Sequence, residues 1–344
     1  MKVLCLWHAT DHELACVRDA LPAGTEVVAP SGDYVSRFEC RLSDVERHAR
    51  DADMLLGWVL PRGILRVADK LQFLSWMHCD CDDLDLAALK RRGVRVANLQ
   101  NVNSTALAED AMMFVMALAR RTRVRHQMAL AGQKPLNGFD VPLDSQNAML
   151  DGRTMGVIGV GNIGSQIAQR AKGFNMHVLG VRRHKDRLVE HVDSMHGTDE
   201  LHSVLSNCDY VVLAAPLTEE TYQFFGKAEI ESMKPSAFLV NIGRGNLIEE
   251  KPLYEALTSG RLRGYAADAW PQYRLGEQWG PDRWSPRFDF YKLPNVVATL
   301  ESASLEAEGA LKRYLQHGVQ NLVEFANGIP LTTEIGLYSA GALQ

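Results

Sequence analysis

The chain has 344 residues, enough for two domains at about 150 residues each, and its 46% hydrophobic and 23% charged residues are the balance of an ordinary globular fold. Disorder, collagen-like repeats and disulfide mini-scaffolds are excluded. Lys and Arg total 37 against 42 Asp and Glu, a formal charge of -5 with no basic stripe, so nucleic acid is not expected as a partner. No apolar run approaches the roughly 18 residues needed to span a bilayer, and the run from Met1 to Trp7 turns polar at His8, too soon for a signal peptide. No membrane partner is expected, and the cytoplasm is the expected location. Six cysteines, at 5, 16, 40, 79, 81 and 208, sit mostly in apolar segments, which fits reduced thiols better than a disulfide framework.

The first hundred residues alternate between strand and helix patterns: Lys2 to Trp7 (strand), Ser43 to Ala49 (helix), Met54 to Gly57 (strand), Leu71 to Trp76 (strand), Leu84 to Arg92 (helix) and Val94 to Ala97 (strand). Such alternation implies a parallel sheet with helices on both faces. Ser104 to Arg125 then carries apolar residues at helical spacing (Leu107, Ala111, Phe114, Val115, Leu118), with Ser104 as N-cap and four arginines near its end, so one long helix is expected. Residues 132 to 149 are rich in Gly, Pro, Asn and Asp and are expected to be an irregular excursion, because a new strand starts at Met155. The rhythm resumes to about residue 300, interrupted from Pro271 to Pro294. With Trp270 that stretch holds three of the six tryptophans plus Tyr273, Phe288, Phe290 and Tyr291, and it is expected to cover the core rather than to act as a lid. No internal repeat is evident.

Met155 to Ile158 runs into Gly159-Val160-Gly161-Asn162-Ile163-Gly164 and then a helix, Gln166 to Lys172, with a second strand at His177 to Val181. A strand, G-x-G-x-x-G, helix and strand within about 30 residues is the arrangement that binds a dinucleotide. Gly159 permits the tight turn, Gly161 lets the backbone approach a diphosphate, and Gly164 lets helix and strand pack closely, with the anion on the helix N-terminus. Where an NAD-selective site places an acidic residue for the ribose 2′-hydroxyl, this chain has Val181-Arg182-Arg183-His184-Lys185. Guanidinium groups at Arg182 and Arg183 favour a 2′-phosphate, so NADP(H) is the first expectation. NAD(H) stays open if Arg182 only stacks on the adenine.

With these residues in hand, the chain resembles the D-isomer-specific 2-hydroxyacid dehydrogenase family over most of its length. The likeness rests on Leu89 to Val96, Asn103-Ser104 with Ala108-Glu109, the Gly159 to Gly164 turn, Ala214 to Thr218 with Thr221, Met233-Lys234-Pro235, Val240-Asn241-Ile242-Gly243-Arg244-Gly245 and Gly264 to Asp268. It implies two similar doubly wound α/β domains with parallel sheets of Rossmann or flavodoxin type. The substrate domain would comprise residues 1–103 and 303–344, and the dinucleotide domain 104–302, with a cleft between them and a homodimeric assembly. It further implies that Arg244 grips a substrate carboxylate and polarises the adjacent carbonyl. By the same likeness, Asp268 holds the nicotinamide amide, and Pro216, Thr221 and Ile242 lie against the cofactor.

Three departures from the family stand out. The glutamate expected five residues after Asp268 is Tyr273, and the histidine of a proline-histidine pair is Glu301. The Gly-rich loop that should cradle a substrate carboxylate is instead Met77-His78-Cys79-Asp80-Cys81-Asp82-Asp83, bulky and acidic. Two carboxylates facing an anionic substrate at about 4 Å would each cost about 4 kcal/mol at an effective dielectric near 20. A simple 2-keto acid is therefore an awkward ligand, and a specialised substrate joining an anionic group to a cationic or hydroxyl-rich part is expected. Glu301 becomes the expected acid/base, its pKa raised by an apolar pocket, with Tyr273 or His78 as its hydrogen-bonding neighbour. Residues 78 to 82 are spaced too closely for a zinc site, so no metal is expected. His8 is expected to serve as a loop hydrogen-bonder. A non-catalytic sensor that keeps the cofactor pocket is the second expectation.

Overall fold

Met54–Gly57 and Phe73–Trp76 are buried at every residue, as strands covered on both faces must be. The computed structural model describes residues 1–32, 36–81, 83–133, 146–186, 188–271, 286–300, 302–305 and 307–336. The chain divides into two compact units, Met1–Val102 with Glu308–Gln344, and Asn103–Ala307.

The first unit is built on β1 (Lys2–Cys5), β2 (Glu26–Val28), β3 (Met54–Gly57), β4 (Phe73–Trp76) and β5 (Arg95–Ala97). All pair in parallel in the order β2-β1-β3-β4-β5, the flavodoxin-like order. The sequence patterns anticipate four of these strands. They do not anticipate β2 or the helices Asp11–Ala20 and Ile64–Val67, although Thr10 and Glu13 form a complete capping box at the first of them. The late helix Ala310–Ala326 belongs to this unit. It packs on β4 through Ser75, whose hydroxyl donates to the Gly318 carbonyl at 2.8 Å, and through Phe73 and Phe325, stacked at 4.6 Å.

The second unit has β6 (Thr154–Ile158), β7 (His177–Val181), β8 (Ser194–His196), β9 (Tyr210–Leu213), β10 (Phe238–Asn241), β11 (Gly264–Ala267) and β12 (Val296–Ala298). The order is β12-β11-β10-β9-β6-β7-β8, again all parallel. Strand order reverses at β6, so the crevice beyond the carboxyl ends of β6 and β9 is where such a sheet binds a ligand.

One expected element is corrected. The single helix from Ser104 to Arg125 is two, Ser104–Ala119 and Thr122–Leu130, with Arg121 left-handed at φ 52° between them. The break has a physical cause. The Ala119 carbonyl accepts the Ala148 amide at 2.8 Å, while Arg123 turns its guanidinium onto the carbonyls of Tyr291, Leu293 and Val296. The N-cap is Asn103 rather than Ser104. The helix after the glycine turn starts earlier than its apolar pattern suggests, at Asn162 instead of Gln166. Among the described residues of the aromatic stretch, Trp270, Phe288 and Phe290 pack with Tyr254 and Tyr265 in the core, as expected for them, whereas Tyr291 is exposed; Tyr273, Trp279 and Trp284 lie outside the described residues. No cysteine is in a disulfide, and no described helix is long and apolar enough to cross a membrane.

Candidate active site

In the second unit the carboxyl ends of β6, β9, β10 and β11 converge through glycines. A Cβ on Gly159, itself at φ 98°, would lie 2.6 Å from the Ala215 amide nitrogen, and one on Gly164 would lie 2.2 Å from the Gly159 carbonyl oxygen. These two glycines let the turn seat against β9 and the helix seat against the turn. A Cβ on Gly161 would meet nothing within 4 Å. Gly161 caps the eleven-residue helix Asn162–Lys172, so the open side of the turn presents backbone and a positive helix end, as a dinucleotide diphosphate requires. The turn fits that group. Asn162 is exposed at the helix start, while Ile163 packs partly into the core.

Arg244 sits at the end of β10, in a turn clasped by one buried side chain. Asn241, fully buried, accepts the Gly243 amide at 3.0 Å and donates to the Arg244 carbonyl at 2.8 Å. Ile242 beside it is 3% exposed and belongs to the core. Gly245 allows the next strand end to approach, since a Cβ there would fall 2.1 Å from the Trp270 carbonyl carbon. The half-buried Arg244 guanidinium touches the Gly243 carbonyl at 3.3 Å.

Asp268, 6% exposed at the end of β11, is held by the hydroxyls of Thr299 and Ser302 and by the amides of Ser302 and Ala303. Its charge has a second effect. Burial first, then the charges of Asp268 and Glu109, raise the pKa of Asp110 on the helix Ser104–Ala119.

The side where an adenosine is expected comprises the end of β7 and the loop after β9. Thr221 donates to the Pro216 carbonyl at 2.7 Å and accepts the Thr218 amide at 2.7 Å, so its hydroxyl braces the loop, while Pro216 is exposed. Arg182 is half-buried, and its amide donates to the His196 carbonyl at 3.1 Å. Arg183 is exposed and forms an ion pair with Glu220. The sequence reading gives no role to Asn241, Thr218, Glu220 or Thr299. Only the Thr218-x-x-Thr221 spacing carries a local signal for one of them.

In the first unit, His78 follows β4 and its Nε2 donates to the Trp58 carbonyl at 2.8 Å, with its ring 4.8 Å from that of Trp76. The loop is pinned by its carbonyls: Trp76 Nε1 donates to Asp80 at 2.9 Å, and Asn98 donates to Cys79 at 2.9 Å. His8 follows β1 beside a cleft of about 520 Å³, and its Nδ1 is buried with no hydrogen-bond partner among the described residues. Among the described residues no group of three His, Cys, Asp or Glu side chains could hold a metal ion. Tyr273, Glu301 and Asp82 lie outside the described residues.

Residues 112–300 match the family described as D-isomer specific 2-hydroxyacid dehydrogenase, NAD binding domain. The chain belongs to the D-isomer-specific 2-hydroxyacid dehydrogenase family. It is therefore an oxidoreductase of the kind that acts on CH–OH groups, with an NAD-binding domain. Among relatives, the glyoxylate reductase of Korarchaeum cryptofilum is 31% identical over 83% of this chain and 82% of its own length. The glyoxylate reductase of Pyrococcus furiosus is 31% identical over 82% of each. The D-3-phosphoglycerate dehydrogenase of Methanocaldococcus jannaschii is 31% identical over 65% of this chain but only 42% of its own length. Among solved structures, a D-isomer specific 2-hydroxyacid dehydrogenase family protein from Aeromonas salmonicida matches with TM-score 0.79 and 25% identity, covering 98% of this chain and 99% of that one. A Thermus thermophilus protein matches with TM-score 0.77 and 26% identity, covering 97% and 100%.

Proposed function

We propose that this family member interconverts a 2-oxo acid and a 2-hydroxy acid with NADP(H) as preferred cofactor and NAD(H) as second choice. The observation that carries the reading is the Arg244 turn, clasped by Asn241 and wedged by Gly245 against Trp270 at the same sheet edge as the open glycine turn. When bound, the nicotinamide supplies or accepts the hydride at C2 of the substrate. Arg244 binds the substrate carboxylate through its planar fork and draws charge from the adjacent carbonyl, which is worth most where water is excluded. Asp268 orients the nicotinamide amide. Glu301 donates the proton to the carbonyl oxygen in reduction and takes it back in oxidation, in the position where the family keeps a histidine, with Tyr273 or His78 as its neighbour. Arg182 and Arg183 read the 2′-phosphate. The acidic Asp80 loop favours a substrate whose remote end is cationic or hydroxyl-bearing, a specialised metabolite rather than a plain short keto acid. The family's homodimeric assembly and a reducing compartment such as the cytoplasm complete the proposal, the latter in keeping with six cysteines that form no disulfide.

The test is consumption of NADPH and NADH at 340 nm against glyoxylate, hydroxypyruvate and a panel of 2-oxo acids with hydroxylated or amine-bearing tails. Turnover that is faster with NADPH and abolished by Glu301→Gln is expected. Tight cofactor binding with no turnover on any member of the panel would overturn the reading in favour of a cofactor sensor.

A further inference from the structure

We infer that Glu220 sets the cofactor choice of this chain: it is a counter-charge that holds Arg183 and that a 2′-phosphate has to displace. The inference rests on the proposed reading of the 2′-phosphate by Arg182 and Arg183. Four basic or titratable side chains follow β7, and they are not equivalent. Lys185 is committed to Glu200 at 2.8 Å, and Glu200 is held at a pKa of about 2 by Lys185, the Gly197 amide and His196. Arg183 reaches across to Glu220 on the loop after β9. Arg182 is half-buried and its guanidinium has no hydrogen bond or ion pair among the described residues, whereas His184 is exposed. Arg182 is thus ready for an anion, and Arg183 is in reserve.

The backbone that carries Glu220 is held in place. Its loop is braced by the reciprocal Thr218 and Thr221 bonds and by the Thr221 hydroxyl on the Pro216 carbonyl. It is anchored next to them where Gln223, at φ 52°, donates its amide to the Asn246 carbonyl at 2.8 Å. The ion pair itself is weak and exchangeable, because the Arg183 and Glu220 side chains are 58% and 70% exposed. A 2′-phosphate brings nearly two negative charges to Arg183 and so competes with Glu220 and is repelled by it. A 2′-hydroxyl instead offers a donor, and Glu220 supplies the acidic acceptor that the end of β7 lacks. Arg182 and Arg183 therefore pull towards NADP(H) and Glu220 towards NAD(H), which predicts a chain that uses both cofactors with a modest preference.

The experiment measures dissociation constants of NADPH and NADH by nicotinamide fluorescence at low ionic strength. The proteins are the unmodified chain, Glu220→Gln, Arg183→Gln and the double variant, with Arg182→Gln as reference. Glu220→Gln is expected to tighten NADPH about three- to fivefold, the upper part of what an exposed ion pair is worth, and to weaken NADH. Most of the NADPH gain should vanish when Arg183 is already Gln. If Arg183→Gln shifts the NADPH-to-NADH ratio but Glu220→Gln leaves it within about twofold, the role of Glu220 is refuted while phosphate reading stands. If neither arginine variant moves the ratio, the phosphate reading itself fails and takes this inference with it.

Discussion

Two alanine substitutions in the glycine turn should separate folding from cofactor binding. Gly161 is at φ -101°, open to any residue, and a methyl group there meets no protein atom within 4 Å. The cost of Gly161→Ala to the fold is the weaker N-cap, about 0.5–1 kcal/mol, or about 1–4 °C in Tm. That methyl does occupy the open side of the turn where a diphosphate would approach under the proposed reading, so affinity for NADPH and NADH alike should fall at least about tenfold, the 1.4 kcal/mol that a forced shift of a seated ligand readily exceeds. Gly164→Ala is the converse. Its Cβ would lie 2.2 Å from the Gly159 carbonyl oxygen, more than 1 Å inside ordinary contact, and backbone rather than a flexible side chain has to yield. Destabilisation of about 1–3 kcal/mol or more follows, with loss of binding secondary to a displaced helix. Thermal melts and cofactor titration by fluorescence on both variants check the pair. Full affinity in a folded Gly161→Ala protein would place the diphosphate elsewhere, and a Gly164→Ala protein as stable as its parent would refute the close approach.

If Arg244 acts on the substrate as proposed, Arg244→Gln should lower kcat/KM by about 10²-fold or more while the NADPH dissociation constant stays within about twofold; steady-state kinetics beside direct binding decide it, and an equal loss in both would make Arg244 a structural group. Glu13 predicts an acid limit. Burial pushes its pKa up, but Arg37 and the Thr10 amide, both at 2.8 Å, outweigh that and hold it below its ordinary value. A depressed carboxylate stabilises above its unfolded pKa of about 4.3 and loses that contribution on acidification, so urea stability should fall as pH drops below about 5, and Glu13→Gln should flatten the slope. An unchanged slope would count against the ion pair. Thiol labelling should be slow at Cys40 and Cys208, whose pKa values burial pushes up to about 12, and at Cys5, also raised by burial. Exposed Cys16 should give the fastest phase, one that Cys16→Ser removes; its persistence in that variant would place a reactive thiol elsewhere.

Much of this was legible in the chain because its signals are local. The apolar run at Met54–Gly57 and the run at Phe73–Trp76, broken only by Ser75, specify buried strands, and the glycine spacing from 159 to 164 specifies a turn whose close contacts the structure bears out. Hidden features depended on distant partners. The break at Arg121 follows from Ala148 and from carbonyls near residue 293, far along the chain, whereas the helical periodicity runs straight through it. The clasp by Asn241 depends on a turn that no spacing rule describes. The Arg183 to Glu220 pair joins residues 37 apart, and charge patterning within either segment gives no hint of it.

The first unit is assembled from both ends of the chain, Met1–Val102 and Glu308–Gln344, with the second unit wholly intervening. During synthesis, β3 and β4 therefore emerge long before the helix Ala310–Ala326 that seats Phe325 on Phe73. The intervening unit has all its described strands by Ala298 and can close first, leaving an oily sheet face waiting for its cover. Truncation before Ala310 should thus produce a chain that aggregates through its earliest-made strands rather than one that merely lacks a tail.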